Sequence, residues 1–169
     1  LGDPSGPRAV SLIAIHQQLA RNQVHWKTTT KMYMGPGEPQ ISTGSAHGEM
    51  ILGGRYSVLT HSGEFMGMPF EGKSIDGYDN NKQQLFSIWI DNFGTGFLEL
   101  WGSPTADGRG ADYVGSMFDP MLGKDCKIRE TIRWDGDDKY RFEMFQEIPG
   151  PDGKVAENKV MEMTAERVK

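Results

Sequence analysis

Cysteine is almost missing from this sequence: Cys126 is the single one among 169 residues. Alone it closes no intramolecular disulfide and anchors no cysteine-based zinc site, which excludes a disulfide-stapled scaffold and a zinc ribbon. Long apolar runs are missing too. The stretch SLIAI near the start falls far short of the roughly 18 residues that a membrane-spanning helix requires, so a soluble chain without a membrane span is expected. A positive excess is also absent, because 18 basic residues against 23 acidic ones leave a formal net charge of −5 and a pI near 5.4. Nucleic acid or an anionic membrane surface would then need a local basic cluster that overrides the balance. The densest basic stretch, Lys124, Lys127, Arg129 and Arg133, is interleaved with Asp125 and Glu130 and reads as one solvated strand face. No nucleic-acid partner is expected. Nucleophile signatures are lacking as well: there is no G-x-S-x-G elbow, no phosphate-cradling glycine loop ahead of a helix, and no Cys-His constellation around Cys126.

Glycine, by contrast, is plentiful, with 22 residues spread along the chain instead of gathered in a linker. They punctuate a series of turns: 35–39, 52–54, 67–69, 79–82, 93–96, 106–110, 119–125, 135–138 and 149–154. Between them lie runs rich in β-branched and aromatic residues with period-two alternation, the mark of half-buried antiparallel strands. About ten such strands are predicted, from QVHWKTTTKMYM through LFSIWIDNF to NKVMEMTAERV. Only Pro7 to Arg21 reads as a helix, with a proline near its start and Val10, Ile13 and Leu19, or Leu12 and Ile15, on its apolar side. Nearly constant strand spacing with short turns favours an all-β, antiparallel up-and-down barrel over a sandwich, and closure removes the edges that the strands would otherwise expose. The chain 1–169 is expected to form one domain, with a leading segment and helix over 1–22 that plugs one end and the barrel over 23–169.

Alternation also assigns faces. In CKIRETIRW the interior face should carry Ile128, Glu130, Ile132 and Trp134; in KYRFEMFQE it should carry Tyr140, Phe142 and Met144; near the end, Met161, Met163 and Ala165. Ser42, Gly44, Ala46 and Gly48 form a row of small residues, which means either room for a ligand or close contact with another layer. Glu130 stands out, because a carboxyl among apolar groups keeps its proton unless a cation or several donors meet it. It could act as an acid or a ligand anchor; the plainer alternative is an ion pair with an inward Arg55, or a place at the rim in water. Trp89 and Asp91 lie on the face of their strand opposite Phe86, Ile88 and Ile90, so they point inward if the barrel is wet inside and outward if the aliphatic face is the core. Glu143 and Glu162 oppose the apolar faces of their strands and read as solvated. No two histidines stand at metal-chelating spacing, so a site would have to be assembled across strands, for instance from His47, His61 and Glu49. Haem ligation needs an apolar pocket, and His61 is flanked by Thr60 and Ser62. No metal and no cofactor are expected.

At GGRY, FEGKSIDGYDNNK, IWIDNFGTG, DPMLGKDCKIRE and the closing PGPDGK with KVMEMTAERVK, the chain resembles a bacterial family numbered fifteen seventy-nine among the domains of unknown function. The resemblance spans about Gly53 to the C-terminus. It implies a lipocalin-like, calycin-type barrel and no established activity. Such barrels open with Gly-x-Trp, whose tryptophan packs across the base; here Trp26 is present but Val24 replaces the glycine. A bacterial source leaves cytoplasm or periplasm open, since the sequence begins at Leu1 and a secretory signal could have preceded it.

Three functions remain. The first is a barrel that binds a small lipophilic or amphipathic molecule, with Arg55, His61, Trp89, Asp91, Glu130, Tyr140, Met144 and Met161 as candidate ligand contacts. The second is an enzyme using Glu130 or Asp91 as acid or base with a nearby Arg or His, although no catalytic set is identified and a non-enzyme is preferred. The third is a homodimeric interaction module around a solid core, using the outer face of the WID strand.

Overall fold

Strands that alternate apolar and polar residues bury one face, and a long antiparallel meander of them satisfies its last two edges by joining them. The computed structural model, which describes residues 14–35, 37–149 and 153–169, has this form: ten antiparallel strands in a closed barrel, each paired with its neighbours in sequence and the last paired with the first. The strands are β1 (His25–Met32), β2 (Gln40–Ile51), β3 (Tyr56–Phe65), β4 (Met68–Asp79) and β5 (Gln84–Asp91). They continue as β6 (Leu98–Pro104), β7 (Gly110–Asp119), β8 (Lys124–Trp134), β9 (Lys139–Pro149) and β10 (Val155–Arg167). Closure runs from the pair Trp26 and Arg167 to the pair Met32 and Met161.

The nine connections fall at the turns read from the sequence. That between β3 and β4 is a two-residue hairpin, Met66 and Gly67, both at positive φ (52° and 77°) as a type I′ turn demands. One irregularity interrupts the ladders: β10 slips its register against β9 between Lys159 and Met161. The extra residue lets Val160 and Met161 both line the interior.

Outside, the barrel is charged. Arg129 makes a bidentate pair with Glu157 (2.6 and 2.9 Å), Arg133 pairs with Asp112, and Lys139 with Glu166 (3.0 Å). Glu143 and Glu162 lie on this outer side, yet they are not simply solvated: Lys159 bridges both, and Lys31 approaches Glu162 at 3.4 Å. No helix among the described residues is long and apolar enough to cross a membrane.

One end of the barrel is closed by the leading segment, as α1 (Ala14–Leu19) followed by a single 3-10 turn (Ala20–Asn22). The predicted helix thus extends one residue beyond Arg21 as a tighter turn, while its part from Pro7 to Ile13 lies outside the described residues. Ile15 and Leu19 pack against the core, and His16 is buried with its ring edge-on to Tyr78 (centroids 6.0 Å apart). The row of small residues on β2 proves to be divided. A Cβ on Gly48 would lie 1.8 Å from the Asn22 carbonyl oxygen, so this glycine admits the plug, whereas Ser42 and Gly44 line the cavity and a Cβ on Gly44 would come within 2.5 Å of the Ser62 carbonyl oxygen. Next to the plug, Trp26 is fully buried, with Tyr140 and Trp134 edge-on at 5.1 and 5.7 Å and the Arg167 guanidinium 5.9 Å from its ring. Trp26 thus packs beside the closed end, with Val24 two residues before it.

Candidate functional site

Ten strands make a wider barrel than their side chains fill here, and the interior holds a cavity of about 490 Å³. Two clusters of buried side chains contribute to its wall. One supplies Leu85, Leu98, Tyr113 and Met144; the other supplies Leu59, Tyr140 and Met163 near the plug. Away from the plug, Phe93 meets Phe65 and Phe70 with ring centroids 5.3 and 5.9 Å apart, and the three line the far end.

Glu130 faces this cavity from β8, opposite Tyr113 on β7 and Met144 on β9 in the strand register. Desolvation, with a smaller contribution from the negative charge of Asp76, pushes its carboxyl up to about 8. Asp76 faces in from β4. It accepts a 2.8 Å hydrogen bond from the Ser74 hydroxyl and another from Ser87, yet burial still raises its carboxyl above the usual range. Since β4 and β8 stand four strands apart in a ring of ten, the two carboxyls approach the interior from nearly opposite walls. Burial likewise raises the hydroxyls of Tyr113 and Tyr140, helped in both by the charge of Asp76.

The WID strand turns its aliphatic face out and its polar face in: Trp89 and Asp91 line the cavity, with Leu85 and Ser87 below them. A Cβ on Gly72 would lie 2.3 Å from the Trp89 ring, so that glycine makes the space the indole occupies. Trp89 stacks on Phe70 and meets the ring of His61, while its Nε1 donates to Asp91 Oδ2 at 2.8 Å. The other Asp91 oxygen accepts from the backbone N–H groups of Phe93 and Gly94 at 2.9 and 3.2 Å. Asp91 therefore serves as a turn cap and indole acceptor, with little left over for proton transfer. Burial lowers His61 to about 4, so near neutral pH it is an uncharged ring.

Of the remaining candidates, Tyr140, Met144 and Met161 form adjoining parts of the wall supplied by β9 and β10. Arg55 does not belong to it: it sits in the turn before β3, where its Nη1 donates to the Leu52 carbonyl at 3.2 Å. The ion pair with Glu130 considered from the sequence is therefore not formed. His47 and Glu49 are exposed on the outer side, with His47 stacked on His25 at 4.2 Å, while His61 points inward, so a site built from the three does not assemble. Sequence reading passed over Asp76, Ser74, Ser87 and Tyr113. A signal was present. The turn 79–82 sets the hairpin register that puts Asp76 beside Ser87, on the same face as Trp89.

A sequence model of the family described as "Protein of unknown function (DUF1579)" matches residues 12–167. No curated protein matches the chain. Among solved structures, a redesigned beta barrel is 16% identical, with 89% of this chain and 95% of that chain covered and a TM-score of 0.45.

Proposed function

The chain belongs to the DUF1579 family, whose description names no activity, and from that premise we propose that the protein binds a small lipophilic or amphipathic molecule inside its barrel. The observation that carries this reading is the cavity itself. At about 490 Å³ it falls within the range of roughly 300 to 1,000 Å³ in which proteins hold small ligands, and its few polar groups stand among mostly apolar walls. A molecule with ten buried methylene groups would gain about 0.8 kcal/mol for each. That sum of about 8 kcal/mol, less an association cost of about 4 kcal/mol or more, leaves roughly 4 kcal/mol, a dissociation constant near millimolar that contacts with the polar groups would tighten. The hollow interior also removes the premise of the interaction-module reading, which supposed a solid core. Catalysis by Asp91 is disfavoured by its use as a turn cap.

Titration with N-phenyl-1-naphthylamine, a neutral apolar fluorophore, tests the proposal. Expected is a saturable, blue-shifted signal from one site per chain, displaced by decanol and lost when Met161→Trp and Leu98→Trp together fill the cavity. Equal probe binding by the filled variant, with its strand signal in circular dichroism intact, would place the probe elsewhere and sink the idea.

A further inference from the structure

We propose that the ligand of this cavity is an organic cation, a lipophilic amine whose charged head lies between Asp76 and Glu130 and whose tail runs toward Phe65, Phe70 and Phe93. This deepens the ligand-binding reading and rests on it. The starting point is an imbalance of charge on the cavity wall. Two carboxyls face the interior from nearly opposite sides, and among the described residues no ion pair reaches either. Asp76 is held by the hydroxyls of Ser74 and Ser87, while none of the hydrogen bonds or ion pairs found among the described residues reaches the carboxylate of Glu130. A nearly enclosed carboxyl directed into an open cavity lacks a partner there, and a ligand can supply it.

The other charged or titratable groups on the wall leave that role open. The Arg21 guanidinium belongs to the plug and lies over Trp134, 5.8 Å from the ring centroid. His61, on β3, is kept neutral by burial. Asp91, on β5, is committed to its turn and to Trp89. Tyr113 on β7 and Tyr140 on β9 keep their protons and present ring faces and hydroxyls. Glu64, on β3, stands at the far end beside Phe65. Aromatic faces attract cations as well, so Tyr113, Tyr140 and Trp89 reinforce the preference set by the two carboxyls. A fatty acid would bring its carboxylate beside the charge of Asp76, and beside that of Glu130 as this ionises toward pH 8, and be repelled.

Proton balance gives the proposal a signature. In the empty cavity near neutral pH, Glu130 carries a proton; an entering ammonium replaces it, the carboxylate and ammonium form the pair, and the proton leaves to solvent. Affinity for the cation therefore rises with pH up to about 8, by as much as about tenfold per unit.

The experiment is isothermal titration calorimetry of the full chain with decylamine, decanol and decanoate, three ligands of one tail, at pH 6, 7 and 8. Decylamine should bind at least tenfold more tightly than decanol at pH 8, with decanoate weakest. Its affinity should rise with pH, and two buffers of different ionisation enthalpy should register release of close to one proton. Glu130→Gln should bring decylamine down to the level of decanol while decanol binding persists, which also shows that the variant folds. If decanol or decanoate binds the unaltered protein as well as decylamine does, or if Glu130→Gln keeps the preference, the cation proposal fails and ligand binding stands. If none of the three binds, both fail.

Discussion

Glu130 and His61 show how one enclosed space moves two groups in opposite directions. Desolvation disfavours whichever form is charged, so it raises the carboxyl to about 8 and lowers the imidazole to about 4. The folded state holds more protons than the unfolded chain where Glu130 titrates, from the ordinary carboxylate value of 4.5 up to about 8, and there stability falls as pH rises. His61 has the reverse effect between about 4 and 6.5, where the unfolded chain holds the extra proton and stability falls as pH drops. The two oppose each other below pH 6.5. Above it Glu130 acts without that opposition, in the same direction as Asp76. Urea denaturation should show stability declining by about 2 kcal/mol from pH 6.5 to 8, and Glu130→Gln should flatten the decline and be the more stable form at pH 8. A wild-type protein whose stability is level or rising over that interval contradicts the placement. Alternation in CKIRETIRW made the inward position of Glu130 legible in the sequence. Asp76 was not singled out, because SIDGYD mixes an inward Ser74, Asp76 and Tyr78 with an outward Ile75, and an aliphatic residue on the solvent side hides the pattern.

At the level of elements, turns were more legible than the faces of strands. Turn residues announce themselves by local chemistry: most of the positive-φ positions among the described residues are glycines, with Leu52, Met66 and Gln83 the departures. Faces depend on what the barrel encloses. In β5 the more aliphatic face, Phe86, Ile88 and Ile90, lies outside, and Phe86 there meets Tyr56 and Trp101. Sequence periodicity ranks such a face as core, and the placement of Ser87, Trp89 and Asp91 against the cavity reverses the ranking. The plug shows a similar limit. Its apolar side predicted that it would pack on something, while its seat is set by one missing side chain, that of Gly48. Gly48→Ala should force the 3-10 turn off β2, lowering stability by roughly 1–3 kcal/mol and loosening the closed end. Faster hydrogen exchange of the Gly48 amide, which donates to the Val24 carbonyl at 3.2 Å, together with a lower urea midpoint, would show it; an unchanged midpoint and exchange rate would mean the plug does not seat there.

For the whole molecule, the number of strands and their meander order followed from regular turn spacing, since short turns leave adjacent strands little choice but to pair. Whether the barrel is hollow did not follow. Interior volume depends on strand number and stagger together with the bulk of every inward side chain, and the small side chains of Ser42, Ser74 and Ser87 leave space that larger residues would have filled. Function rests on that space and on the two carboxyls that face it. The most direct measurement is the titration of the Glu130 side-chain carboxyl carbon by nuclear magnetic resonance, with the cavity empty and with decylamine present. A midpoint near 8 in the empty protein, moved well below neutrality by the amine, is the predicted result. A midpoint in the ordinary carboxylate range in the empty protein, or one that the amine leaves in place, would contradict it.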